Sequence, residues 1–233
     1  MGSIGHTLEQ IARDGGATLY GVADLTGSKE YIEETFGDAL SGYPRAIVLG
    51  IAYPAEVVNQ LVDAPTHTYL YYYNVLNSKL DHLALQLAIL LQEEGCGAFP
   101  VPASQRVSDD RLVGIFSHRM AARLAGLGWI GKNASLVTRE YGPRLRLVTV
   151  LTDCELETGS PVQNRCGTCN ACVEACPPDA LTGKPFEPGD QLEERFIGDR
   201  CDKHLSKVRS AFGKRICGRC LAVCPWGERR SQR

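Results

Sequence analysis

Eight of the ten cysteines lie between residues 166 and 224, in two runs whose spacing suits the binding of iron-sulfur clusters. The first run, CGTCNACVEACP, starts at Cys166 and has the C-x2-C-x2-C-x3-C-P spacing of bacterial two-cluster ferredoxins, in which the fourth cysteine ligates the other cluster. The second run, CGRCLAVCP, starts at Cys217 and repeats the last three ligand positions of that pattern. One ligand must come from elsewhere, and Cys201 is the only cysteine nearby.

The spacing therefore predicts two [4Fe-4S] clusters with four thiolate ligands each. One set of ligands is Cys166, Cys169, Cys172 and Cys224. The other set is Cys176, Cys201, Cys217 and Cys220. A pair of zinc sites is the alternative, because C-x2-C pairs also bind zinc. The interlocked run of four cysteines followed by proline favours clusters over zinc.

The two remaining cysteines, Cys96 and Cys154, stand alone, and we expect both to be small buried residues rather than ligands. An even number of cysteines also allows a disulfide framework, which is typical of small secreted proteins without a sufficient core. A chain of 233 residues can form a core, and the opening MGSIGH lacks the features of a signal peptide. Cluster ligation in a cytoplasmic protein is the better interpretation.

Composition and charge exclude some classes of protein. The most apolar stretch, LALQLAILL, lies between His82 and Gln92 and is too short to span a membrane, so no membrane association is expected. The formal net charge is -2, and the one basic run is the tail ERRSQR. Net charge therefore gives no reason to expect a nucleic acid as partner.

Helical and strand patterns alternate ahead of the cysteines. Helices are predicted at residues 6–14, 29–40, 66–94 and 117–128, with Ser117 as an N-cap. Strands are predicted at residues 19–25, 46–53, 98–103, 134–138 and 145–153. The sequence thus predicts an α+β fold, with an α/β domain over residues 1–155 and a ferredoxin-like domain over residues 156–233.

A glycine-rich stretch, AGLGWIGKN from Ala125 to Asn133, is the main chemical feature of the first part. Glycines let a backbone approach another group closely, and Lys132 and Asn133 add a cation and an amide. The stretch could therefore bind an anionic or amide-rich ligand. The alternative is a helix end and turn that only packs on the sheet.

With these motifs in place, the chain resembles the epoxyqueuosine reductase family and, more distantly, reductive dehalogenases. The resemblance rests on AGLGWIGKN, LVTREYGPRLRLVTVLTD and the series CGTCNACVEACP, RCDKHL and CGRCLAVCPW. It implies a nitroreductase-like or cobalamin-chaperone-like N-terminal domain that binds cobalamin, and a two-cluster ferredoxin-like domain that supplies its electrons. It also implies the ligand sets given above, with Cys201 included.

The resemblance implies that the tyrosine-rich segment HTYLYYYN and the glycine motif approach the corrinoid. The cofactor contacts expected on this basis are Tyr72, Tyr73, Gly128, Trp129, Gly131, Lys132 and Asn133. An amphipathic aromatic helix start is the alternative for the tyrosines.

Two departures from the family pattern concern the proton donor and the substrate. Leu112 stands near the position of the usual acid, so Asp109, Asp110 or His118 is expected to donate the proton, and we select Asp110 and His118. The helical repeat region that handles tRNA in the family does not follow the clusters, so tRNA is not expected as a partner.

The resulting hypothesis is an iron-sulfur oxidoreductase that takes electrons from a ferredoxin-type or flavodoxin-type donor and uses cobalamin to reduce a small molecule. The first alternative is an electron-transfer protein that serves a partner corrinoid protein or flavoprotein without turnover of its own. The second is a protein that reduces and delivers cobalamin, and a bound flavin is a further variant.

Overall fold

The computed structural model describes residues 2–105 and 114–228. Its helices are α1 (Gly2–Asp14), α2 (Lys29–Phe36), α3 (Ala55–Asn59), α4 (His67–Glu93), α5 (His118–Leu124), α6 (Ala171–Glu174), α7 (Gly198–Phe212), α8 (Arg219–Ala222) and α9 (Pro225–Glu228). Its strands are β1 (Leu19–Asp24), β2 (Arg45–Ala52), β3 (Ala98–Val101), β4 (Trp129–Ile130), β5 (Leu136–Val137) and β6 (Leu145–Thr152).

Four of these strands form one sheet in the order β1-β2-β6-β3, and β4 pairs with β5 in a separate hairpin. Strand β1 is antiparallel to β2, and β3 is antiparallel to β6. The six inner residues of β2 are buried, as its unbroken apolar sequence predicts for a central strand. The mixed helix-and-strand fold is confirmed.

The helices begin and end where their sequences indicate. Helix α1 ends before Gly15-Gly16, and Gly16 has a positive φ of 90°. Helix α4 covers nearly all of the predicted segment, and its apolar positions Leu80, Leu83 and Leu87 are buried. Ser117 caps α5, because its hydroxyl accepts a hydrogen bond from the Met120 amide at 3.3 Å.

Two compact units make up the chain, and they alternate along the sequence. The first contains Met1–Ile51, Val75–Leu127 and Arg146–Val162; the second contains Ala52–Asn74, Gly128–Leu145 and Gln163–Arg233. The chain passes from the first unit to the second for the last time after Val162, and the domain boundary at residues 155/156 stays a prediction. The second unit also contains residues 128–133 of the glycine motif and the tyrosine-rich start of α4, both of which lie within the predicted N-terminal domain.

The prediction that Cys96 and Cys154 are small buried residues is wrong. Both are partly exposed, and they form a disulfide with a Cα–Cα distance of 5.2 Å. The strand register explains the pairing. Ala98 lies opposite Thr152 in the β3–β6 ladder, so continuing the antiparallel register two residues outward places Cys96 opposite Cys154.

Within the described residues, no helix combines the length and the apolar character needed to cross a lipid bilayer.

Candidate functional site

Two short loops in the second unit carry most of the predicted cluster ligands. Each begins with the sequence Cys-Gly-x-Cys, and its glycine, Gly167 or Gly218, has a positive φ of 52° or 84°. An L-residue with a side chain is disfavoured in this conformation, so glycine permits the turn that brings the two flanking cysteines to one side. Helix α6 begins two residues after the first Cys-Gly-x-Cys sequence, and helix α8 begins within the second.

Several of the predicted ligand thiols lie close enough to influence one another's pKa. Burial, followed by the neighbouring thiols of Cys224, Cys166 and Cys169, raises the pKa of Cys172 to about 11. Burial likewise raises the pKa of Cys220, and the next contributions come from Cys217, Cys172, Cys201 and Cys176. Cys172 and Cys220 thus each have the other three members of their predicted set among these neighbours, and Cys220 also has Cys172, while the two ligand sets stay a prediction.

Buried thiols that lie close together do not readily ionise by themselves, so they suit a site that binds an iron-sulfur group. Bound iron supplies the positive charge that keeps a ligating thiol deprotonated. Eight cysteines are free of disulfide bonds, and they are the eight predicted ligands. Among the described residues no three His, Cys, Asp or Glu side chains converge on a single metal ion. A cubane does not require such convergence, since its four ligands attach to different iron atoms.

Lys132 and Asn133 contact the cluster loops directly. The Lys132 ammonium donates hydrogen bonds to the Cys169 carbonyl at 3.1 Å and to the Asn170 side-chain oxygen at 2.9 Å. The Asn133 amide nitrogen donates to the Cys220 carbonyl at 3.4 Å. Both residues are buried, with 7% and 6% exposure. The β4–β5 hairpin, residues 129–137, therefore braces one loop of each predicted cluster.

Gly128 and Gly131 are required by close packing against β5. A methyl group added at Gly128 would overlap the Val137 carbonyl, and one at Gly131 would lie 2.6 Å from a Val137 methyl group. The spacing of these glycines thus reflects the approach of one backbone segment to its neighbour. This supports the packing alternative for the glycine motif, and cofactor contact by these two residues stays a prediction.

Trp129 packs beside two of the predicted ligands. Its ring is 3% exposed and packs with Val137 and Cys224, while Cys166 and Trp226 pack against the same group. The Trp129 and Trp226 rings meet edge to face, with their centroids 4.9 Å apart. Within the described chain, the Trp129 indole nitrogen is buried without a hydrogen-bond partner. A buried donor of this kind fits an acceptor that an iron-sulfur group would supply.

Tyr72 and Tyr73 are partly exposed at the start of α4, and Tyr71 is 65% exposed. Tyr72 contacts Tyr71 edge to face, and the Lys214 ammonium lies 5.2 Å from the centre of the Tyr73 ring. Lys132 and Asn133 are engaged with the cluster loops, and the cofactor role of all seven residues expected to contact cobalamin stays a prediction.

The two predicted proton donors have different outcomes. Asp110 lies outside the described residues, as does Asp109. His118 is held at both ring nitrogens, with Nδ1 2.8 Å from the Thr149 hydroxyl and Nε2 3.0 Å from the Pro102 carbonyl. Because a carbonyl only accepts, Nε2 carries the proton and Nδ1 accepts from Thr149. This geometry favours a structural role, and proton donation by His118 stays a prediction.

His118 should make the protein sensitive to mild acid. Burial lowers the pKa of His118 from 6.5 to about 4, although its hydrogen bond to the Pro102 carbonyl opposes the shift. Between these values the unfolded chain binds a proton that the folded chain does not, so stability falls as the pH falls. From pH 7 to pH 5 the free energy of unfolding should drop by about 2 kcal/mol through this residue.

Urea unfolding at both pH values, followed by far-UV circular dichroism, measures this loss. The variant His118→Gln cannot titrate, so its loss between pH 7 and pH 5 should be smaller than that of the wild type by about the same 2 kcal/mol. Equal losses in the two proteins would contradict the prediction.

Arg144 is a structural residue of the site that sequence analysis did not identify. Its guanidinium is 4% exposed and donates to the Asn59 side-chain oxygen and to the Ala222 carbonyl, both at 2.7 Å. It also contributes to a cavity of about 290 Å³. The residues that line this cavity are Tyr53, Ala55, Glu140, Tyr141, Arg144 and Gly227. Its arginine is already engaged with Asn59 and Ala222, so we assign the cavity no ligand.

Comparison with known proteins confirms the predicted clusters and the predicted resemblance. Residues 165–227 match the family described as a 4Fe-4S double cluster binding domain. An epoxyqueuosine reductase of Leadbetterella byssophila is 34% identical over 118 residues, which cover 46% of this chain and 36% of that protein. Another, of Cellulophaga algicola, is 27% identical over 221 residues, covering 88% and 67%. The chain thus spans about a third of the first relative and two thirds of the second.

Solved structures agree at the level of the fold. An epoxyqueuosine reductase with an epoxyqueuosine-modified tRNA-Tyr stem loop aligns with a TM-score of 0.60 at 24% identity, covering 97% of this chain and 65% of that one. A reductive dehalogenase, whose structure suggests a mechanism for B12-dependent dehalogenation, aligns with a TM-score of 0.71 at 20% identity, covering 94% and 31%.

The tRNA-bound structure contradicts the expectation that tRNA is not a partner. That expectation relied partly on the net charge, which hides the uneven distribution of charged residues along the chain. Residues 198–219 contain seven of the 25 lysines and arginines but only two of the 27 acidic residues. Lys203, Lys207 and Arg209 are exposed on α7 in this basic segment. A local basic surface, not the total charge, decides whether a polyanion can bind.

Proposed function

We propose that this chain, a relative of the epoxyqueuosine reductases with a 4Fe-4S double-cluster domain, is an iron-sulfur reductase that uses cobalamin. The observation that carries the proposal is the set of hydrogen bonds from the β4–β5 hairpin to both cysteine loops, because they join residues 128–133 of the glycine motif to the predicted ligands within one compact unit. The names of the relatives support the choice of reaction and of cobalamin.

Two finer structural statements belong to this proposal. The helix-and-sheet part is nitroreductase-like or cobalamin-chaperone-like, and the ferredoxin-like domain begins at residue 156. The first would be supported by a corrinoid bound to the purified chain. The second would be supported if limited proteolysis of the holoprotein cut between residues 155 and 163.

The chain's own residues have defined tasks in this scheme. The eight free cysteines hold the clusters, which pass single electrons. Lys132 and Asn133 fix the positions of the two loops, and Trp129 covers the Cys166 and Cys224 side with an apolar ring. Cobalamin would supply the low-valent cobalt that reduces a substrate, and the protein would supply its orientation and surroundings.

The first substrate to examine is a tRNA stem loop that carries epoxyqueuosine. Relatives named epoxyqueuosine reductase and the tRNA-bound structural neighbour support this choice. The exposed basic residues of α7 give this chain a surface of suitable charge.

An anaerobic titration with cob(II)alamin, followed by electron paramagnetic resonance (EPR), tests the proposal. Loss of the nitrogen hyperfine pattern of the lower base is expected when the corrinoid binds to protein with both clusters assembled. Mass spectrometry of the stem loop after addition of reductant should then show removal of the epoxide oxygen. An unchanged free-cobalamin spectrum with fully assembled clusters would contradict the cobalamin assignment.

A second function, electron transfer or cobalamin delivery to another enzyme, is favoured by one observation. The ring nitrogens of His118 are both engaged, so no described residue is assigned as the proton donor. Single-turnover experiments separate the two functions. Corrinoid binding without conversion of the stem loop, together with transfer of the bound corrinoid to an apo-enzyme, would support delivery.

A further inference from the structure

We infer that Trp129 and Lys132 raise the reduction potential of the cluster bound by Cys166, Cys169, Cys172 and Cys224, Trp129 through an N–H···S hydrogen bond and Lys132 through a buried positive charge. The inference uses only the two-cluster part of the proposed function. It does not depend on cobalamin or on any substrate.

Trp129 contributes a donor that lacks an acceptor among the described protein atoms. Its indole nitrogen is buried without a partner, and an indole can only donate. Leaving such a buried donor unpaired is destabilising. The ring packs with Cys224 and Cys166, which belong to the same predicted ligand set. A sulfur of this cluster is therefore the acceptor that the surroundings of the indole offer.

Lys132 contributes a charge that its surroundings do not neutralise. Its ammonium donates to the Cys169 carbonyl and to the Asn170 amide oxygen, and neither partner carries a formal charge. Across the described ranges, no carboxylate lies within ion-pair distance of it. Because Lys132 is only 7% exposed, solvent screens this charge weakly.

Both contacts favour the reduced cluster, which carries one more negative charge than the oxidised cluster. Hydrogen bonds to the sulfurs and local charge are among the factors that set cluster potentials. The other cluster provides an internal reference. The hairpin contact to its loop comes from the neutral amide of Asn133, at 3.4 Å from the Cys220 carbonyl.

An EPR-monitored redox titration of the reconstituted full chain, without corrinoid, tests the inference. Iron and sulfide contents are measured first, so that only protein with both clusters is compared. Trp129→Phe keeps an aromatic ring but removes the donor, and Lys132→Gln keeps a hydrogen-bond donor but removes the charge. Each should lower one midpoint potential, the same one in both variants, and leave the other unchanged.

Two controls define the cause. Lys132→Arg retains the charge and should restore the wild-type midpoint. Lys207→Gln makes the same substitution at an exposed lysine of α7, where solvent screens the charge, and should shift neither midpoint. Cys201→Ser, in which only the first cluster should remain, identifies the signal that belongs to it.

Two results would overturn the inference: equal shifts of both midpoint potentials in a variant, or wild-type midpoint potentials in either Trp129→Phe or Lys132→Gln. If Lys132→Gln assembles fewer than two clusters, the effect of the charge is measured by comparing Lys132→Arg with Lys132→Met. The effect of the hydrogen bond is still measured with Trp129→Phe. Failure of cobalamin binding would leave these outcomes unaffected, since no corrinoid is present.

Discussion

Replacing Cys201 by serine should remove one of the two clusters, so that iron falls from about eight to about four atoms per chain after reconstitution. Cys201 lies on α7, away from both Cys-Gly-x-Cys loops in sequence. Burial is the main cause of the raised pKa of Cys220, but Cys201 is among the neighbouring thiols that also raise it. A serine hydroxyl is a far weaker ligand for iron than a thiolate. The cluster that depends on Cys201 should therefore not assemble.

The interlocked ligand sets make a sharper version of this prediction. Cys176→Ser should remove the same cluster as Cys201→Ser, although Cys176 lies in the first loop. Cys224→Ser should remove the other cluster, although Cys224 lies in the second run. EPR spectra of the three reduced proteins should show one signal shared by the first two variants and a different one in the third.

Cys96→Ser is the matched control, because this cysteine belongs to the Cys96–Cys154 disulfide and not to a predicted ligand set. It should retain about eight iron atoms. If Cys201→Ser also retains them, another residue is the eighth ligand. If Cys176→Ser and Cys224→Ser lose the same signal, the two sets are not interlocked.

Local patterns in the sequence predicted the local structure well. The apolar run of β2, the periodic leucines of α4 and the Ser117 cap each depend on residues a few positions apart, and each is found. The cysteine spacing likewise predicted the clusters that the domain match confirms. For the helices and strands the residues that determine the structure lie in one short segment, and for the clusters the spacing within each cysteine run carried the prediction.

Contacts between distant segments could not be predicted in this way. Lys132 and Asn133 were noticed as a cation and an amide, but their partners Cys169 and Cys220 lie 37 and 87 positions further along the chain. The glycine spacing correctly indicated a close approach, but not that the approaching residue is Val137, through its carbonyl at Gly128 and its side chain at Gly131. The Cys96–Cys154 pair needed the strand register, which becomes visible only when β3 and β6 are placed side by side.

Replacing Arg144 by methionine should destabilise the second unit and loosen the cluster loop that ends at Cys224. The guanidinium joins Asn59 of α3 to the Ala222 carbonyl, two residues before Cys224. Methionine is similar in length but cannot donate, so both acceptors would lose a charged partner in a buried place. The expected loss is about 3–5 kcal/mol in the free energy of unfolding.

Thermal unfolding of the anaerobic holoprotein should show this loss as a decrease in Tm of roughly 10 °C. Iron release to a chelator should accelerate as well, because the Ala222 carbonyl anchors the segment that carries Cys224. Arg144→Lys retains the charge but can reach fewer acceptors than the forked guanidinium, so its effects should be intermediate.

Arg146 provides a matched control in the first unit. Its guanidinium also contacts an asparagine oxygen and an alanine carbonyl, those of Asn77 at 2.8 Å and Ala103 at 3.4 Å, but neither residue is near a cluster ligand in sequence. Arg146→Met should lower Tm without accelerating iron release. If both methionine variants release iron equally fast, general destabilisation explains the effect. If only Arg144→Met releases iron faster, Arg144 supports the cluster loop specifically. The same side chain then contributes both to the stability of the fold and to the retention of iron.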